Sequence, residues 1–153
     1  MLPTGPIPES AIEEALLEAV RLHRLHDFRG ALALYDRVLA HVPGHAAALA
    51  HRGRALHNLG SRAEAMSCFE GALDHEPLYC EGWYYLGIAA RASGRMDTAL
   101  QAFGRALVLR PAFRAARANL ATPLLAIDQF GAAQDVLAER RERFGRFAED
   151  ELA

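Results

Sequence analysis

The chain has 153 residues, of which 52% are hydrophobic and 24% charged, enough for one domain that buries roughly 70% of its unfolded surface. Its 17 basic and 19 acidic residues are spread evenly along the chain, so no basic lobe for nucleic acid is expected. Lysine is absent, which excludes a Schiff-base lysine and the Gly-Lys-Ser/Thr phosphate loop. No stretch approaches the roughly 18 apolar residues of a membrane span, so no membrane association is expected.

Cysteine and histidine usage argues against a metal or redox centre. Cys68 and Cys80 are too few for a disulfide framework and indicate reduced thiols in a cytoplasmic protein. The 7 histidines do not show the spacing of zinc ligands, so neither a metal nor a cofactor is expected. Residues 1–10 are rich in proline and lack the regions of a signal peptide, so they are predicted to be a flexible leader. Residues 147–153 are predicted to be a tail.

An internal repeat organises the rest of the chain. Pro43, Pro77 and Pro111 are spaced by 34 residues, and other positions follow the same step. These positions form columns of small or large side chains, such as Ala31, Ala65, Ala99 and Ala133, then Tyr35, Phe69, Phe103 and Leu137. Small residues recur where helices approach closely and large ones recur where a gap must be filled, so the pattern predicts antiparallel helix pairs.

The helices can be placed in chain order from their start and stop signals. Ser10 with Glu13 predicts a capping box at the first helix, and Gly60 and Gly94 predict left-handed residues that end helices. Pro123 predicts a kink in the seventh helix or a late start to it. The predicted helices span residues 11–25, 28–41, 45–58, 62–75, 79–92, 96–109, 113–126 and 130–146. The last is rich in arginine and glutamate, as expected of a terminal unit.

The third unit carries a family signature. Its residues Trp83, Leu86-Gly87, Gly94, Ala99, Phe103, Ala106 and Pro111 resemble the tetratricopeptide repeat (TPR) family. The resemblance implies an all-α, right-handed superhelical solenoid of antiparallel helix pairs over residues 11–146. The expected units are about 12–45, 46–79 and 80–113, followed by a degenerate capping unit, 114–146.

In such a solenoid the first helix of each unit lines a concave groove. Trp83 is assigned to the core, whereas the tyrosines next to it would supply contact area for a peptide. Arg54 and Arg91 would bind carboxylate or main-chain oxygens. The alternative is that the tyrosines pack against a neighbouring unit and the arginines only solubilise the groove. The predicted groove residues are Leu17, His51, Arg54, His57, Tyr84, Tyr85, Ile88, Arg91 and Asn119.

These features predict a non-enzymatic protein-interaction module that binds a partner peptide, as scaffold, adaptor or chaperone. Family members that hold the tails of heat-shock chaperones use a two-carboxylate clamp, and neither Leu16, Val20, His51, Glu81 and Tyr85 nor the set one unit on reproduces it. Two alternatives stay open. One is a self-assembling structural protein, which would form homo-oligomers. The other is the repeat lobe of a larger enzyme such as a glycosyltransferase, since Asn119-Leu120-Ala121 resembles the asparagine ladder of repeats that precede sugar transferases.

Overall fold

The computed structural model describes residues 8–126 together with residues 138, 139, 141 and 142. All regular structure in these residues is helical, and each complete helix begins and ends within two residues of its predicted bounds. The predicted helix over 130–146 lies largely outside the described residues, as do the tail and most of the leader. The helices are α1 (Glu9–Arg24), α2 (Phe28–His41), α3 (Ala46–Asn58), α4 (Arg62–His75), α5 (Cys80–Ala92), α6 (Met96–Leu109) and α7 (Arg114–Ala126).

Helix packing follows chain order, which confirms the predicted all-α solenoid. Each helix packs against the next one, and α1, α3, α5 and α7 also meet in sequence along one side. The first helices of successive units are therefore neighbours, as a continuous groove requires. No helix in the described part of the chain is both long and apolar enough to cross a bilayer.

The core repeats with the predicted period. Tyr35, Phe69 and Phe103 are each no more than 1% exposed, and the alanine column Ala31, Ala65 and Ala99 is fully buried. Gly87 shows why its column is small, because a Cβ atom there would lie 2.6 Å from Cε1 of Phe103. Two carbon atoms cannot approach that closely, so the glycine lets the two helices of the unit meet around the ring.

The turn between the helices of a unit needs a left-handed residue. Gly60 has a φ of 88° and Gly94 a φ of 74°, as predicted. The first unit uses His26 at the equivalent position, with a φ of 62°. Histidine is one of the few non-glycine residues enriched at positive φ. The left-handed His26 was not predicted, because glycine is the usual sequence signal for such a turn.

Two local predictions are wrong. The capping box is absent, because α1 begins at Glu9 with Pro8 as its N-cap and without a side-chain cap. Ser10 therefore already lies inside the first turn, where its hydroxyl is not placed to accept from the orphan amides. The late start proposed for the seventh helix is also wrong, since α7 begins at Arg114 and runs through Pro123. Pro123 is among the fully buried side chains.

Trp83 packs against the main core as predicted, but it is only partly buried. Its indole Nε1 donates a hydrogen bond to the carbonyl oxygen of Pro77 at 2.8 Å. A tryptophan in this arrangement buries its ring and keeps its polar edge satisfied. It therefore also anchors the loop that joins α4 to α5.

Candidate peptide-binding groove

A cavity of about 280 Å³ opens between α3 and α5, the first helices of the second and third units. Several predicted groove residues line it together, and two further residues complete its wall. The repeat pattern predicts Phe69 only as a core residue and carries no signal for Asn58. The predicted lining residues are Arg54, His57, Tyr84, Tyr85 and Ile88, and the added ones are Asn58 and Phe69.

Ring stacking fixes the aromatic wall of this cavity. Tyr85 stacks on Phe69 of the preceding unit, with ring centroids 5.9 Å apart and an interplanar angle of 23°. One unit earlier, His51 stacks on Tyr35 at the same centroid distance of 5.9 Å and at 14°. The same contact thus joins second-helix and first-helix residues at both junctions. Tyr85 accordingly packs against its neighbouring unit and still lines the cavity.

Tyr84 packs mainly within the third unit, against α6 and the residue that precedes α7. Its ring lies 4.8 Å from that of Phe113 and 6.0 Å from that of Phe103. It also meets Tyr85 edge to face at 5.2 Å, a geometry that aromatic pairs favour. Tyr84 therefore packs mainly against aromatic rings of its own unit, and part of its surface reaches the cavity.

Arg54 is the charged group of the cavity. Its guanidinium carbon lies 4.6 Å from the centroid of the Tyr85 ring, and Nη1 lies 3.4 Å from Nδ1 of His51. No carboxylate within the described part of the chain forms an ion pair with it. Arg52, two residues away, differs because it donates to Asp36 at 2.6 Å and to the Cys68 sulfur at 3.1 Å. Arg54 therefore carries a positive charge that the fold leaves uncompensated.

Three histidines surround this arginine and are held neutral. Burial, and then the charge of Arg54, lower the pKa of His51 to about 4. Burial followed by the same charge lowers the pKa of His23, and burial followed by Arg62 lowers that of His57. Because partial burial and a neighbouring cation both disfavour the protonated imidazole, the positive charges that act on this region come from Arg54 and, at His57, from Arg62.

The other four predicted groove residues do not line the cavity, and one of them is His51, which stacks on Tyr35 beside it. Leu17 on α1 is 72% exposed. Arg91 lies about one turn beyond Ile88 on α5 and does not line the cavity. Asn119 on α7 donates its amide to the carbonyl oxygen of Ala115 at 2.7 Å, so its donor is directed to its own helix.

A second cavity, of about 410 Å³, lies beside the loop that joins α4 to α5. Its charged groups are already matched, because Arg110 donates to Glu81 at 2.6 Å. Cys80 in its wall is buried, and burial raises the pKa of the thiol. A protonated, buried thiol and an internally paired arginine offer a ligand little, so the cavity beside Arg54 is the better candidate.

Comparison with known proteins agrees with this architecture. A tetratricopeptide repeat model matches residues 22–85 and a second one matches residues 80–113. The chain belongs to the tetratricopeptide repeat family. Domains of this family mediate protein–protein interaction and are generally non-enzymatic. The described residues include no group of three or more His, Cys, Asp or Glu side chains that could hold a metal ion.

Solved structures share the fold at low sequence identity. A MamA structure aligns with a TM-score of 0.85 at 18% identity, over 93% of this chain and 78% of that one. The first TPR domain of Spaghetti (RPAP3), bound to an HSP90 peptide, aligns with a TM-score of 0.77 at 18% identity, over 80% of this chain and 98% of that domain. The Sgt2 TPR domain from Aspergillus fumigatus gives 0.77 at 20% identity, over 85% and 87%.

One curated relative is closer in sequence over a shorter region. The peroxisomal targeting signal receptor of Saccharomyces cerevisiae is 40% identical over 67 residues, which is 44% of this chain. The match spans only 11% of the receptor. It therefore concerns the repeats, and not the receptor as a whole.

Proposed function

We propose that this chain is a non-enzymatic interaction module that binds a peptide segment of a partner protein in the cavity between α3 and α5, as scaffold, adaptor or chaperone. The observation that carries the proposal is the position of Arg54, which has no carboxylate partner among the described residues and lies over the Tyr85 ring at 4.6 Å. A guanidinium beside an apolar wall suits a peptide with both oxygen and hydrophobic groups.

Two of the similar proteins support peptide binding as the role. The Spaghetti domain is bound to an HSP90 peptide, and the yeast relative is a receptor for a targeting signal. The first shows a domain of this fold holding a peptide, the second is a targeting-signal receptor that shares part of its sequence with this chain, and neither names the partner here. A cytoplasmic location remains a prediction of the sequence. No feature of the described residues specifically supports self-assembly or the repeat lobe of an enzyme.

A displayed library of random peptides would test the proposal directly. Wild-type protein is expected to enrich a shared motif, and the double variant Tyr85→Ala, Arg54→Glu is expected to lose it. The matched control is Leu78→Ala with Arg105→Glu, which makes the same kinds of change on exposed positions away from the cavity. Circular dichroism checks that both double variants stay folded. If the enriched motif binds the Tyr85→Ala, Arg54→Glu variant as tightly as it binds wild type, this cavity is not the binding site.

Ile88→Glu is a second variant that leaves the Tyr85–Phe69 stack intact. It places a carboxylate in the cavity wall, where it would pair with Arg54 and repel an acidic ligand. We expect it to lose the enriched motif as well, with helicity unchanged.

A further inference from the structure

The region around Arg54 is short of hydrogen-bond acceptors. The guanidinium can only donate, so the nearby Nδ1 of His51 must accept from it, and the His51 proton then lies on Nε2. In the same way Asn58 donates its amide to Nε2 of His23 at 3.1 Å, which leaves the His23 proton on Nδ1. That Nδ1 atom is buried and finds no hydrogen-bond partner among the described residues, and the same holds for Nδ1 of His57.

The groups on the neighbouring helices that interact with this region do not include a carboxylate that could serve as the missing hydrogen-bond acceptor. The titratable groups that interact with His23, His51, His57 or Arg54 are His26 after α1, Tyr35 on α2, His45 before α3, Arg62 on α4, and Tyr79, Tyr84 and Tyr85 at or on α5. None is a carboxylate. The described part of the chain thus brings an unpaired cation, three imidazoles and an aromatic wall to one place.

We propose that the region formed by His23, His51, Arg54, His57 and Asn58, here called the histidine–arginine crevice, binds a carboxylate of the partner peptide together with a proton, with an apolar group of the same peptide against Tyr85 and Ile88. This inference deepens the proposed function and rests on it for the identity of the ligand as a peptide. It assigns the crevice a ligand class, an acidic group adjoining a hydrophobic one, and a regulation by pH.

Proton uptake follows from what the carboxylate would change. In the free protein burial, and then the charge of Arg54, lower the pKa of His51 and keep its proton off. A carboxylate bound to Arg54 offsets that charge and gives a protonated imidazole a partner, so the pKa of His51 rises in the complex. By linkage, a group whose pKa rises on binding strengthens that binding as the pH falls.

Small probes test the crevice independently of any natural partner. The first is N-acetyl-phenylalanine, whose terminal carboxylate has a pKa of about 3.5 and stays ionised above pH 5. Its neutral amide is the control. N-acetyl-glutamyl-phenylalanine amide offers a side-chain carboxylate instead, and thereby distinguishes an acidic side chain from a chain terminus as the source. Each is titrated by NMR at pH 7.5 and pH 5.5 while the histidine ring signals are followed.

We expect at least one of the acidic probes to bind at least about fivefold more tightly at pH 5.5 than at pH 7.5, with the His51 signal shifting, and the neutral amide to show no such change. Arg54→Gln should weaken acidic-probe binding at least about tenfold, Arg54→Lys should weaken it less, and Arg105→Gln on exposed α6 surface should leave it unchanged. His51→Phe, which keeps an aromatic ring on Tyr35, should reduce the pH effect.

Equal affinity for the acid and the amide, or unchanged binding by Arg54→Gln, would overturn the inference. Inorganic phosphate that shifts the same signals as strongly would show a general anion site and overturn the carboxylate assignment. If the peptide library of the proposed function succeeds while these probes fail, the groove binds peptides without a carboxylate site. If the probes succeed and the library fails, the crevice stands and the peptide-binding role does not.

Discussion

The first unit and the next two have the same geometry and reach it with different residues. Where the second and third units have glycine at the close helix approach, in Gly53 and Gly87, the first has the buried Ala19. Where they turn on a left-handed glycine, the first turns on His26. The first unit also packs in a separate small cluster around Tyr35, whereas the second and third share one core. A repeat therefore conserves positions in space more strictly than residue types.

The largest expected effect comes from the glycine column. Gly87→Ala should lower the free energy of unfolding by about 2 kcal/mol, because the new methyl group would meet the fully buried Phe103 ring at 2.6 Å. Gly104→Ala is the matched control, since a Cβ atom there has nothing within 4 Å, and we expect it to be neutral or stabilising. Urea unfolding measures both. Equal stability of the two variants would mean that close approach does not explain the column.

The junction between the first and second units should respond to pH. The pKa of His51 is lowered from 6.5 to about 4 in the folded state, so the unfolded chain binds the proton more readily. Stability is then lost as the pH falls from about 6.5 towards 4, by about 2 kcal/mol once the partial exposure of the ring is allowed for. His51→Phe keeps a ring against Tyr35 and removes the proton.

Unfolding of wild type and His51→Phe at pH 7, 5.5 and 4 would measure this contribution. Wild type should lose more stability than the variant over that range. Parallel losses in the two proteins would show that the Tyr35–His51 stack does not hold the imidazole neutral.

The aromatic column offers a stabilising change. Tyr35 is fully buried, and its hydroxyl has no hydrogen-bond partner in the described part of the chain, whereas the same position holds Phe69 and Phe103 in the later units. Tyr35→Phe should raise the free energy of unfolding by about 1 kcal/mol, since it removes an unsatisfied buried polar atom. Thermal unfolding can detect a change of this size. A loss of stability would mean that the hydroxyl has a partner, such as a buried water.

The smallest expected effect is at the first turn. His26→Gly should stabilise the protein by about 0.5 kcal/mol, because relief of the left-handed strain exceeds the added chain entropy of glycine. His26→Asn, which also tolerates this region, should be close to neutral. If glycine destabilises, the edge contact between His26 and Phe28, with ring centroids 5.6 Å apart, contributes more than the strain.

The repeat determined most of the fold in advance. A period of 34 residues in proline, alanine and aromatic positions predicted the bounds of α2, α4 and α6 without error, because each column corresponds to a packing need that recurs in every unit. The errors fell outside the repeating columns, at the capping box expected from Ser10 and at the late start considered for the helix that contains Pro123, and the left-handed His26 was not predicted. There the local signal was misleading or missing, and the surrounding helices set the backbone.

The groove residues could be predicted from the sequence only as sets of positions that recur every 34 residues. The helical period indicated that Arg54, Tyr85 and Ile88 face the same side, and this followed from sequence spacing alone. Which of those residues meet was decided by the angle between units, which depends on stacked rings far apart in the chain, such as Phe69 on Tyr85. The sequence by itself thus determined the helices, the repeat and the family. Only the tertiary structure placed Arg54, which has no carboxylate partner among the described residues, beside three partly buried histidines, because charge compensation and burial depend on neighbours that no single column contains.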